Sequence, residues 1–415
     1  MEQQTGADPQ QPVPAGFVML YALAYVGTIL LFLAPLLVSL SLKVNGLVGA
    51  HQAPSSLSLV VGAGAFVAMF ANPFVGKLSD RTASRLGMRR PWMVLGLLGG
   101  SVGILVVALA ASISVVLVGW CIAQVFFNGL LAALTAVLPD QVPVAQRGRI
   151  AGVLGICLPI ASVCGTFVVQ LFTGNTLAMF MAPCAIGGSL ILLFAATLND
   201  RRLAEANRPV WSLRELASAF YLNPWKHRDF AWAFSSRFMF VLAYAFLMTY
   251  QAYYLLEKLG TAAIHVPRQL FLATLAMSSV VVVASLVGGW LSDRTGRRKV
   301  FVGSASLVFG LAMFMIAFAT SFHGFVVGMA LGGLGFGLYT AVDLALVADV
   351  LPDPNSAAKD LGVMNIAAAL PSSVAPAVAP AILALSHGSY GALYAVAGAS
   401  AVLAAGAILP VRRVR

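Results

Sequence analysis

Long apolar stretches alternate with short polar ones along this chain in a nearly regular beat. Runs of roughly 20 residues, the length needed to cross the hydrocarbon core of a bilayer, fall near 17–42, 56–76, 92–111, 115–138, 149–172 and 178–198. A polar segment follows at 199–229. Six more runs come after it, near 230–256, 267–291, 300–320, 323–349, 360–386 and 389–410. The pattern predicts an all-α membrane protein of twelve transmembrane helices. Its domains read as a disordered tail at 1–16, a six-helix half at 17–198, a linker at 199–229, a second half at 230–410 and a basic tail at 411–415.

Composition agrees with that solvent. Hydrophobic residues make up 60% of the chain and charged ones 9%, against about 25% charged in ordinary soluble domains. The formal charge of +11 would suit nucleic acid, but it is broken into clusters by long apolar runs, so no continuous basic face exists to bind it. Of the lysines and arginines, twenty-one fall in loops on the side of both termini, three on the opposite side and one inside a span. The positive-inside rule then puts both termini in the cytoplasm, in a plasma or bacterial inner membrane. The first run lacks a basic leader or small-residue cleavage site and reads as a retained helix. The cysteines (Cys121, Cys157, Cys164 and Cys184) lie in apolar runs without a CxxC pair, so neither disulfide frame nor metal site is expected. No nucleotide loop or catalytic triad is present; the expectation is a monomeric non-enzyme without cofactor.

The charged clusters repeat. "GKLSDRTASRLGMRRPW" at Gly76–Trp92 has a shorter copy, "GGWLSDRTGRRKVF", at Gly288–Phe301, and Asp80 and Asp293 lie 213 residues apart. "VLPD" ends at Asp140 and again at Asp353, the same offset. Two motif pairs with one offset make two six-helix halves of like orientation. Parallel halves of this kind move against each other around a site near the membrane midplane.

The loop G-x-L-S-D-R-T…G-x-R-R resembles the signature of the major facilitator superfamily, as do its second copy and "PDQVPVAQRGRIAG" after the fourth span. The resemblance implies a transporter fold over essentially the whole chain. It also implies a conformational latch built from Gly76, Asp80, Arg81, Gly87, Arg89 and Arg90, and from Gly289, Asp293, Arg294, Gly296, Arg297 and Arg298. The glycines would permit close helix approach, and the Asp and Arg side chains would pair at helix ends. The bland alternative is that the arginines only fix topology.

Within that superfamily, "NPFVGKLSDRTASRLGMRRPW" from Asn72 is similar to the glycoside–pentoside–hexuronide:cation symporters and their sucrose–proton relatives. A sugar or glycoside carried with a proton is thereby implied. The pattern departs from those relatives at Asn72 and Ala68, where melibiose-type members have carboxylates, and at Ala132 and Val137, where sucrose-type members have Arg and Asp. Sodium coupling is therefore disfavoured. Helix 5 reads "GICLPIASVCG" and lacks the Gly-Pro-x-x-Gly-Gly run of drug–proton antiporters. The alternatives kept open are an exporter of amphiphiles or lysolipids and a receptor that does not transport.

Charges well inside a span are costly, about 2.5–3.5 kcal/mol or more, and usually mark a pathway. Two stand out. Arg237 lies about two turns into the seventh run, and Asp343 lies at matching depth in the tenth. Arg237 reads either as a site residue or as a snorkelling one, and Asp343 as a proton carrier or as a structural partner of Arg237. Helical spacing groups Arg237 with Tyr244 and Gln251, Tyr339 with Asp343, Gln124 with Asn128 and Thr135, and Tyr21 with Tyr25 and Thr28. These are the first and fourth helices of each half, which line the cavity in the superfamily. Ser162, Thr166 and Gln170 make a similar stripe on helix 5, so helix-packing polar contacts compete with the cavity reading. Aromatic and carboxamide groups suit an uncharged polyol or an amphiphile; a buried Arg equally suits an anionic group.

Overall fold

The computed structural model describes residues 12–200, 227–350 and 357–411. The described residues fold into helices connected by short turns, without strands. We number them α1 (Ala15–Ala34), α2 (Leu40–Asp80), α3 (Arg90–Leu109), α4 (Ile113–Gln141), α5 (Val144–Leu171) and α6 (Thr176–Thr197). After the linker come α7 (Arg228–Tyr253), α8 (Val266–Thr295), α9 (Arg298–Phe318), α10 (Phe322–Val350), α11 (Ala357–Ala369), α12 (Pro371–Leu385) and α13 (Tyr390–Ile408).

Among the described residues, eleven helical stretches are long and apolar enough to cross a membrane. The first runs for 66 residues, Ala15–Asp80, which at 1.5 Å per residue is about 100 Å and more than three times the hydrocarbon thickness. It must turn back. Gly49, with φ 73°, is where it does so, in a backbone region that favours glycine. Counting two crossings there gives the twelve that the apolar runs predict. Outward-facing residues such as Leu98, Val102, Leu109, Val283, Leu286 and Trp290 are more than half exposed, a surface that suits lipid contact. The eleventh span is split at Leu370, between α11 and α12. Pro371 starts the second piece, because a prolyl nitrogen has no N–H to give the preceding turn.

Two compact units form. One holds residues 12–35 and 67–200, the other 36–66 together with residues 227 onward. In the first, α1 packs on α5 and α6, and α3 on α4 and α6; in the second, α7 packs on α12 and α13, and α9 on α10 and α13. Replacing α1, α3, α4 and α6 by α7, α9, α10 and α13 maps one set of helix pairs onto the other, so the sequence repeat is visible as a repeat of packing. The unit boundary differs from the division at the linker in one respect. Residues 36–66 join the second unit, where the Tyr253 hydroxyl donates to the Ser41 and Ala53 carbonyls at 3.1 and 3.4 Å. Ser58 and Tyr250 bond through their hydroxyls at 2.6 Å. Residues 201–226 of the linker, with its basic residues up to Lys226, and the tail residues 1–11 and 412–415 lie outside the described residues.

Candidate functional site

α10 is dense in glycine, and this decides which of its faces does what. Cβ atoms at Gly333 and Gly337, one turn apart, would stand 2.4 and 2.6 Å from the carbonyl oxygens of Met277 and Val281, so this face lies backbone-to-backbone on α8. Phe336, Tyr339 and Asp343, spaced three and four residues apart, form another face, directed to α7. There a ladder forms. Arg237 pairs with Asp343, Nη2 to Oδ2 at 3.4 Å; Phe240 stacks on Tyr339 with ring centres 3.6 Å apart; Tyr244 stacks on Phe336 at 4.2 Å. Each step of three or four residues up α7 meets a step of three or four down α10, as antiparallel helices require. Phe309 of α9 backs the rungs, 5.1 Å from Phe240.

The charged rung is deep. Arg237 is nine residues from the start of α7 and Asp343 seven from the end of α10, roughly 10–14 Å along either axis. Their side chains are 13% and 12% exposed. Tyr339 sits one turn from Asp343 on the same face of α10. The guanidinium is under-used: its Nε is buried without a partner, and the 3.4 Å contact is its one ion pair among the described residues.

Of the proposed lining residues, Arg237, Tyr244, Tyr339 and Asp343 therefore come together in this ladder. Gln251 continues the same face of α7, 1% exposed, with both amide atoms buried and unpartnered. In the first unit, the Asn128 side-chain amide donates to the backbone carbonyl and side-chain oxygen of Gln124, both at 2.9 Å. Tyr21 is fully buried; its hydroxyl donates to the Leu134 carbonyl at 2.9 Å and its ring stacks on Phe194, which is the environment of a packing residue. Tyr25 meets Tyr21 edge-on. Thr28, Thr135, Ser162 and Thr166 all donate to carbonyls three or four residues back on their own helices, so the hydroxyl stripes are satisfied internally.

The loop between α2 and α3 closes into a tight charge cluster within the first unit. Arg89, its side chain 5% exposed, meets Asp80 at 2.6 Å and Asp140 at 2.8 Å and donates to Ser79. Burial works against the Arg89 charge; Asp140 and then Asp80 overcome it and hold its pKa above the ordinary arginine value. Asp200, just past α6, accepts from the backbone N–H groups of Arg89 and Arg90 at 2.7 and 2.8 Å, placing a negative charge at the N-terminus of α3. Gly87 makes room for it. Its φ is 103°, and a Cβ there would lie 2.2 Å from Asp200 Oδ2. Gly87→Ala is expected to lower the thermal midpoint of the purified protein by several degrees, since strain of about 1–3 kcal/mol adds to loss of the Asp200 cap.

The second copy is built differently. Arg298 pairs with Asp349 at 2.6 Å, Arg294 lies over the Trp290 ring, and Gly296 ends α8 in the left-handed conformation with φ 63°. The Asp293 and Arg297 side chains make no ion pair or hydrogen bond among the described residues. Asp353, which the repeat equates with Asp140, lies outside them. Close helix approach was the expected role of Gly76 and Gly289, and here the geometry corrects it. A Cβ on either would meet the nearest alanine Cβ at 3.7 or 3.8 Å, an ordinary contact. Arg81 lies in the turn after α2 and Arg90 bonds the Ala196 carbonyl.

Comparison with known proteins agrees with the fold. Over 112 residues the chain is 36% identical to a probable 4-methylmuconolactone transporter of Cupriavidus pinatubonensis, a stretch that is 26% of either chain. Over 85 residues it is 29% identical to an arabinose-proton symporter of Bacillus subtilis, covering 20% of this chain and 18% of that one. The matched stretches thus span about a quarter or less of those relatives' lengths. A crystal structure of the nucleoside transporter NupG superposes with a TM-score of 0.77 at 13% identity, over 95% of this chain and 99% of that one, a likeness of fold. The model of the Major Facilitator Superfamily matches residues 15–284 and 264–415. With twelve crossings in two like halves, this chain is a multi-pass membrane protein that belongs to the Major Facilitator Superfamily.

Proposed function

We propose that this chain is a secondary transporter that carries a small organic solute together with a proton by alternating access, with both termini in the cytoplasm. The observation that carries the reading is the Arg237–Asp343 pair, buried inside two spans of the second unit. Placing charge at this depth costs several kcal/mol whatever its role, so a pair kept here points to function. A carboxylate beside a guanidinium is a suitable proton carrier. Desolvation favours its neutral form and the cation its charged form, so a modest movement between them exchanges a proton. The match to the arabinose-proton symporter supports symport, and the two relatives named above both handle small oxygen-rich solutes. The loop from Asn72 to Trp92 supports placement near the sugar–cation symporters.

The test is reconstitution in proteoliposomes. Counterflow across equal pH identifies a carried solute, and an imposed inward proton gradient of one pH unit is expected to concentrate that solute about tenfold for one-to-one coupling. Tight binding without exchange would make the protein a receptor. Accumulation unaffected by the pH step would make it a facilitator or move the coupling to another ion.

A further inference from the structure

Two buried arginines in this protein are treated in opposite ways. Arg89 has Nε on Asp140 and Nη1 on both Asp80 and Ser79; it is a staple with its fork engaged. Arg237 carries the same five N–H donors into the interior of an apolar span, yet makes no hydrogen bond among the described residues. Its contact with Asp343 is single and long at 3.4 Å, and Nε faces no acceptor. A buried donor left open costs free energy comparable to the bond it lacks, and a guanidinium fork is shaped for two parallel bonds to a carboxylate. The bonding capacity that Arg237 leaves unused is therefore suited to an anionic oxygen pair.

We propose that the carried solute bears a single carboxylate, which takes the open fork of Arg237 when Asp343 is protonated. This rests on the transporter reading above and names its substrate class. The charge count explains why one carboxylate fits and two do not. Empty, the site holds Arg237⁺ and Asp343⁻ and is neutral. Loading adds one proton to Asp343 and one carboxylate to Arg237, and the site is neutral again. A second anionic group would leave a net charge in the membrane, costing about 2.5–3.5 kcal/mol or more. Arg237 from α7 and Tyr339 on its own helix are the charged and titratable groups facing Asp343; Arg298 of α9 is occupied with Asp349. Of the next two rungs, Phe240 and Tyr339 are buried against each other, whereas Tyr244 and Phe336 are partly exposed and offer ring carbons to the body attached to the carboxylate. Proton and anion leave together on the far side. Transport is thus electroneutral.

The test uses the purified full chain in proteoliposomes with hippurate, shikimate and 4-hydroxyphenylacetate, each beside its neutral primary amide, and with arabinose. Support is counterflow of at least one carboxylate about tenfold faster than its amide, with pH-driven uptake unchanged when a potassium diffusion potential is imposed. Exchange of the amides or of arabinose as fast as the carboxylates would overturn the inference and leave the carrier reading standing. Exchange of none of these probes overturns the inference, and the carrier reading then falls only if a wider panel of neutral solutes is also not exchanged. Carboxylate uptake that follows the imposed potential overturns it as well. Arg237→Gln is expected to weaken carboxylate binding about 10- to 100-fold, and Arg237→Lys, which keeps the charge but not the fork, to fall between. Unchanged carboxylate affinity in a folded Arg237→Gln protein would sink the assignment; the selectivity of the unmodified protein decides the matter if that variant does not fold.

Discussion

Asp343→Asn is expected to keep solute exchange across equal gradients and to lose uphill accumulation entirely. The accumulation ratio under a one-unit pH step should fall from about ten to one. The amide fills the volume of the carboxylate and keeps a hydrogen-bonding group opposite Tyr339, so the stacked rungs Phe240–Tyr339 and Tyr244–Phe336 have no reason to shift. What disappears is the ability to take up and release a proton. Arg237 then stays permanently free of its competitor, so a carboxylate solute would bind without waiting for protonation. The variant becomes a uniporter that moves one negative charge per cycle, and its flux should respond to membrane potential where that of the parent does not. Accumulation of solute by the variant as strong as by the parent would put the coupling proton elsewhere. Loss of exchange as well as accumulation would make Asp343 a structural partner of Arg237.

The architecture was legible because it rests on signals that lipid makes strong. Apolar runs of about 20 residues and the 213-residue offset between Asp80 and Asp293 carry the crossings and the repeat, and no tertiary contact is needed to read them. Arg237 and Asp343 were legible for the same reason: a charge in an apolar run is conspicuous. Their aromatic neighbours were not. Phe240 and Phe336 sit three and seven residues from the charges, on the ladder face, yet a phenylalanine in a membrane helix carries no message until its partner is known. A spacing of seven selects the middle of a helix face, whereas the facing stripe also includes the three- and four-residue neighbours. Tyr21 is ambiguous in the opposite sense, because a tyrosine whose hydroxyl is used on the Leu134 carbonyl looks in sequence like one that lines a cavity. Asp200 and Ser58 lie far in sequence from the groups they bond, so nothing in the local pattern announces them.

Removing both carboxylates that hold Arg89 is expected to destabilise the protein by about 3–5 kcal/mol, and removing Arg89 as well to restore most of that loss. The asymmetry follows from who is buried. Arg89 is 5% exposed, Asp140 23% and Asp80 50%. Asp80 is wet enough that Asp80→Asn alone should cost under about 1 kcal/mol. Asp140→Asn should cost more, about 2–3 kcal/mol, because the buried cation keeps only its half-solvated partner. With both changed, the guanidinium is a buried charge without an anionic partner, left to the Ser79 hydroxyl and the two neutral amide oxygens. Adding Arg89→Met to that double variant replaces the stranded charge by an apolar chain of similar length, and stability should return to within about 1–2 kcal/mol of the parent. SDS or thermal unfolding of the purified series measures this. A triple variant no more stable than the double one would mean that the cluster is held by Asp200 at the start of α3 rather than by the arginine pairings. Asp293→Asn serves as the control: that carboxylate is exposed and unpaired among the described residues, so it should leave the unfolding midpoint unchanged. If Asp293→Asn slows transport while leaving stability alone, and Asp80→Asn does the same, the two loops act as a latch between conformations. If Asp80→Asn and Asp140→Asn change stability and transport in proportion, the first loop is a staple of its own unit.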